Sequence, residues 1–79
     1  MTQSEWKRTF GDNLADILDF QGLTQSQFAR DSGLSVSRIN DYINGNATPT
    51  IFAIINMAYA LDMDADEFLD FVDFGDRIE

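Results

Sequence analysis

The stretch Thr24-Gln25-Ser26-Gln27-Phe28-Ala29-Arg30-Asp31-Ser32-Gly33-Leu34-Ser35-Val36-Ser37-Arg38-Ile39-Asn40-Asp41-Tyr42 decides which fold this chain can build. Thr24 can accept a hydrogen bond from the amides of the next turn while Gln27, three residues on, reaches back, so a helix opens at Gln25. Phe28 and Ala29 give that helix a side to bury. Gly33 then supplies the backbone freedom of a tight turn, Leu34 pins the turn to the core, and Ser35 caps a following helix of roughly Val36 to Asn44. Ile39, Tyr42 and Ile43 form its apolar side. Asn44-Gly45 stops it, and a loop runs from Asn46 to Pro49. The pattern is two short helices joined by a glycine turn.

Outward from this unit the helical period continues on both sides. Thr2 and Glu5 have capping-box spacing, and Trp6, Phe10, Leu14, Ile17 and Leu18 recur at helical intervals until Gly22, which predicts a first helix over Gln3–Gln21. Asp12, Asp16 and Asp19 solvate its other face. Thr50 caps a fourth helix, in which Ile51, Ile54, Ile55, Ala58 and Leu61 are expected to form a continuous buried stripe. Asp64, with Glu67 three residues later, opens an acidic fifth helix over about 64–75 that carries Phe68, Leu69, Phe71, Val72 and Phe74, and the last four or five residues are expected to fray. No stretch alternates with the period of a strand, and no linker divides the chain. The expectation is an all-α protein of five helices, one domain spanning residues 1–79.

Composition narrows the function. Seventy-nine residues, 44% apolar with seven Phe, suffice for one core. The chain has no cysteine and no histidine, hence no disulfide, no thiolate zinc site and none of the commonest general base. Its Ser, Thr and carboxylate residues assemble no recognisable catalytic constellation, so neither an enzyme nor a cofactor is expected. Asp62, Asp64, Asp66, Asp70 and Asp73 do fall at five positions of a calcium-loop template, but Glu67 occupies the place of its essential glycine, so no metal site is expected. No apolar run is long enough to cross a bilayer and Met1 to Arg8 is polar, which points to the cytoplasm.

Charge is the awkward property. Five Lys/Arg face fourteen Asp/Glu, a formal −9. Residues 62–79 carry eight of the acids and one base, Arg77, a net −7, which leaves −2 for the first sixty-one residues. The acidic end is therefore expected to face away from any polyanion, or to bind something basic.

Two helices at residues 24–44 joined by a glycine turn have the layout of a DNA-binding helix-turn-helix. Leu23-Thr24-Gln25, Phe28-Ala29, Gly33-Leu34-Ser35, Ile39-Asn40-Asp41-Tyr42, Asn44-Gly45, Pro49-Thr50 and Ala58-Tyr59-Ala60-Leu61 together resemble the helix-turn-helix domains of phage repressors, Cro proteins and the related xenobiotic-response-element regulators. The resemblance spans about residues 10–71. It implies a compact five-helix, lambda-repressor-like domain, and a transcriptional regulator that reads a palindromic operator in double-stranded DNA as a homodimer.

The resemblance also implies roles. Gln25 becomes a phosphate clamp at the start of the second helix, and Ser35, Val36, Ser37, Arg38 and Asp41 face the major groove. A valine offers a methyl contact to thymine, serines bond several base edges, an arginine reads guanine or holds phosphate, and Asp41 can accept from cytosine's amine. Asn46 and Thr48 contact backbone phosphate through uncharged donors. Relatives often carry Lys or Arg in that loop, and Gly is common where this chain has Asp62, so one monomer is expected to bind weakly. Only Lys7, Arg8, Arg30 and Arg38 are available to meet phosphates. Phe71, Val72 and Phe74 are the candidate dimer surface. The competing reading is an acidic interaction module, an antirepressor or a DNA mimic, that holds a basic protein partner through the acids of residues 62–76.

Overall fold

Every helix start is held by a side chain that returns to its own backbone. The computed structural model describes residues 2–74, the side chains of residues 71–74 excepted. It contains α1 (Gln3–Gln21), α2 (Gln25–Ser32), α3 (Val36–Ile43), α4 (Ile51–Ala60) and α5 (Ala65–Phe74), with no strand among the described residues. Thr2 Oγ1 accepts from the Glu5 N–H at 3.1 Å while Glu5 Oε1 accepts from the Thr2 N–H at 2.8 Å. Thr24 and Gln27 repeat the exchange at 3.1 and 2.9 Å. Ser35 Oγ and Thr50 Oγ1 accept from the Arg38 and Ala53 amides at 3.1 and 3.0 Å, and Glu67 Oε1 accepts from the Asp64 N–H at 3.0 Å. Losing such a cap costs about 1 kcal/mol. The Thr2 backbone hydrogen bond, and then that from its side chain, also hold the Glu5 carboxyl below its ordinary range.

The buried residues are those that helical spacing selects, with one exception. α1 packs against α3 and α5, α2 against α3 and α4, and α4 against α5. Phe10 stands at the centre: Trp6 stacks on it at 5.1 Å, and Tyr42 of α3 and Phe68 of α5 meet it edge-on at 6.4 and 6.0 Å. Edge-on pairs are favoured because the positive rim of one ring meets the negative face of the other. Phe10, Tyr42 and Phe68 are all buried, so three helices converge on one aromatic contact.

The exception is α4. Ile54, Ala58 and Leu61 are buried as expected, but Ile51 and Ile55 are not: they are 66% and 49% exposed, and Ala53 and Met57 take their places in the core. The run Ile51–Ala60 contains no charged residue, so its sequence period does not choose a face. The seat between α2 and α5 chooses it, by admitting positions 53, 54, 57, 58 and 61. Ile51, Ile55, Phe52 (69% exposed) and Tyr59 (84% exposed) are left outside.

Two backbone details fix the placement of α3. Gly33 ends α2 in the left-handed conformation at φ 73°, which lets the chain reverse within three residues into the Ser35 cap. Gly11 lies where α1 crosses the end of α3. A Cβ there would stand 2.4 Å from the Ile43 carbonyl oxygen and 2.6 Å from that of Tyr42, so only glycine permits this approach. Asn44 caps α3 one residue earlier than the sequence suggested. Asp62 follows α4 at φ 60°, the only non-glycine in the left-handed region among the described residues. The acids with calcium-loop spacing run into α5, a helix and not a loop. Residues 75–79, expected to fray, lie outside the described residues.

Candidate nucleic-acid interface

After Val36, the exposed side of α3 is polar. Ile39 and Tyr42 anchor the helix to the core, which turns Ser37, Arg38, Asn40 and, half-buried, Asp41 outward. Five of the eight residues expected at the interface, Ser35, Ser37, Arg38, Asp41 and Thr48, line one open groove of about 460 Å³ between α3 and the loop that follows it. Tyr42, Ala47 and Thr50 complete its wall. Ser35 uses an oxygen lone pair on its cap, which leaves its O–H able to donate. The Arg38 guanidinium forms no ion pair with any described residue. The groove therefore offers hydroxyl donors, one cation and one carboxylate side by side.

The other three expected residues are not in that groove. Val36 is 46% exposed at the first position of α3, available to an apolar contact. Asn46 is exposed, and its backbone N–H donates to the Asp41 carbonyl at 2.8 Å, which ties the loop to the end of α3. Gln25 lies across the turn at the start of α2, half-buried, where its Oε1 accepts from Asn40 Nδ2 at 3.3 Å.

Two neighbours of this surface were not singled out from the sequence. Gln3 Nε2 donates to Thr48 Oγ1 at 3.1 Å, so the start of α1 braces the loop after α3. The backbone of Lys7 and Arg8 passes within 3.6–3.7 Å of where a Cβ on Gly45 would lie. Two of the four basic residues in the first sixty-one thus sit beside a loop that has none of its own. Asn40 is the second omission. It bonds Gln25 on one side and Asn44 on the other, where Asn44 Nδ2 donates to Asn40 Oδ1 at 3.0 Å. The Asn40/Asn44 spacing of four was visible in the sequence, but the link to Gln25 crosses a turn and was not. The proposed dimer residues Phe71, Val72 and Phe74 belong to α5, but their side chains lie outside the described residues.

A helix-turn-helix family model matches residues 14–68, more than half of the chain, and takes in α2, the turn and α3 whole. The chain belongs to the Cro/C1-type helix-turn-helix family, and it is a DNA-binding transcriptional regulator. Among solved structures it resembles the restriction-modification controller protein C.AhdI from Aeromonas hydrophila: TM-score 0.75, 29% identity, over 78% of this chain and 94% of that one. No curated protein matches the sequence significantly. Among the described residues, no helix is long and apolar enough to cross a membrane.

Proposed function

We propose that residues 1–79 act as one helix-turn-helix domain of phage repressor/Cro type, a homodimer that places α3 of each copy in the major groove of a palindromic operator. The observation that carries this reading is the single groove shared by Ser35, Ser37, Arg38, Asp41 and Thr48 on the exposed side of α3. Arg38 is its principal base reader, because a guanidinium without an ion pair is free to grip the N7 and O6 acceptors of guanine. Ser35 and Ser37 bond neighbouring edges, and Val36 meets a thymine methyl. Asp41 accepts from cytosine and penalises a phosphate in the same place, so it adds specificity and not affinity. Gln25, Asn46 and Thr48 contact phosphate through uncharged donors, with Lys7 and Arg8 adding charge beside the loop.

The dimer has support on α4. Ile51, Phe52, Ile55 and Tyr59 form an exposed apolar face without a single charge in a chain of −9. Together they expose on the order of 600 Å², close to the ~800 Å² per partner of a stable interface. A second copy offers an equally uncharged face, so pairing there sets no charge against another. Thr50, at the start of α4, lines the same groove as α3, so the proposed dimer face begins beside the reading surface. Phe71, Val72 and Phe74 of α5 remain the second candidate for a dimer contact.

Selection of bound duplexes from a random-sequence pool at low salt, followed by the salt dependence of the winner, tests the reading. A palindromic site whose affinity falls with salt is expected. No enrichment by the folded protein would refute it and favour the acidic end of the chain as a surface for a basic protein.

A further inference from the structure

Asn44, Asn40 and Gln25 form a directed chain of three carboxamides. Asn44 donates through Nδ2 to Asn40 Oδ1 at 3.0 Å, and Asn40 donates through Nδ2 to Gln25 Oε1 at 3.3 Å. Each amide has one accepting end and one donating end, so the orientation of the first fixes that of the next. At the far end of the chain Gln25 Oε1 is occupied, and Gln25 Nε2 donates to no described residue. From this geometry we infer that Asn40 is a positioning residue for DNA binding: it holds the Gln25 amide with the donor end outward, the only end a phosphate oxygen accepts.

The chemistry explains why such a device matters in this protein. A lysine or arginine at the clamp has no wrong end to present. A glutamine amide has one, because Oε1 turned toward a phosphate is repelled, and a free amide rotates between the two. A chain with five basic residues against fourteen acids relies on neutral donors, and a neutral donor has to be oriented by its neighbours. The inference rests on the reading of Gln25 as a phosphate contact.

The test uses the full chain, since Asn40 is exposed and its substitution opens no cavity. Binding to a short mixed-sequence duplex at low salt is measured for Gln25→Ala, Asn40→Ala, Asn40→Asp and Asn40→Ala combined with Gln25→Lys. Gln25→Ala should weaken binding about fivefold, the weight of one neutral hydrogen bond, and Asn40→Ala about twofold, since a freed amide presents its donor end about half the time. Asn40→Asp should cost more, because a carboxylate only accepts and turns the amide around. With Lys at position 25, Asn40→Ala should cost nothing. In the DNA-free protein, the Gln25 side-chain amide protons should exchange freely with water in wild type and become protected in Asn40→Asp, a change a merely structural role would not produce. If Gln25→Ala leaves affinity unchanged, the reading of Gln25 is wrong. If Gln25→Ala weakens binding while Asn40→Ala does not, or if the Gln25 amide signals ignore both Asn40 variants, the positioning role is overturned and the reading of Gln25 survives.

Discussion

α3 and α4 are built by the same local rules and end with opposite surfaces. Both are short, both begin with a hydroxyl cap on the amide three residues on, and both bury one face against the same core. Yet α3 turns Ser37, Arg38 and Asn40 outward, whereas α4 turns out Ile51, Phe52, Ile55 and Tyr59. The difference teaches that helix formation and helix use are separate decisions. A hydrated, polar ligand such as a DNA groove is met by side chains that exchange one set of hydrogen bonds for another. An uncharged apolar face gains only by leaving water, which is the chemistry of a protein contact.

The comparison breaks most severely if α3 loses its seat. Gly11→Ala should cost about 3 kcal/mol in urea unfolding, because the new Cβ meets two backbone carbonyls that cannot swing aside. A loss within error would mean that α1 and α3 separate without penalty. Next comes the α4 face. Phe52→Glu should weaken the proposed dimer by about 2 kcal/mol in sedimentation equilibrium, as for the loss of a central anchor, with the helix content intact. An unchanged association constant would remove α4 from the interface.

On the α3 side, Arg38→Ala should lower affinity for the selected operator about tenfold and leave unfolding unchanged, whereas Asp19→Ala should alter neither. Equal effects of the two would sink α3 as the reading helix. Smaller still is the end of α4, where Asp62→Gly should stabilise the fold by about 1 kcal/mol by relieving a left-handed aspartate. Destabilisation would show that the Asp62 side chain has a role of its own.

The smallest effect concerns the start of α1, where the Glu5 carboxylate adds to the kind of hydroxyl cap that α3 and α4 share. Glu5 has its pKa depressed in the folded state, so its contribution to stability is complete above the ordinary Glu range and is lost as pH falls through the lower, folded value. The stability difference between wild type and Glu5→Gln should therefore exist near neutral pH and close in acid. A difference that does not vary with pH would assign the cap to hydrogen-bond geometry alone.

Much of this was legible in the chain. The capping boxes at Thr2/Glu5 and Thr24/Gln27 and the Ser35 and Thr50 caps depend on residues three apart, which sequence displays directly, and all four stand where spacing put them. The polar surface of α3 was equally legible, because Ile39 and Tyr42 leave it no other way to face. The exposed face of α4 was not, since a helix with no charged residue and a single Asn carries no clear period from which to choose. The contacts Gln3–Thr48 and Gln25–Asn40 were hidden for a related reason: they join residues 45 and 15 positions apart.

By itself, then, the sequence determined the five helices, their caps, the glycine turn and the family, because each depends on chemistry within a few residues. Tertiary structure decided which side of α4 is buried, why position 11 must be glycine, and how three carboxamides come into line behind Gln25. Those outcomes depend on the distance between helices, and that distance is set only when the whole core closes around Phe10.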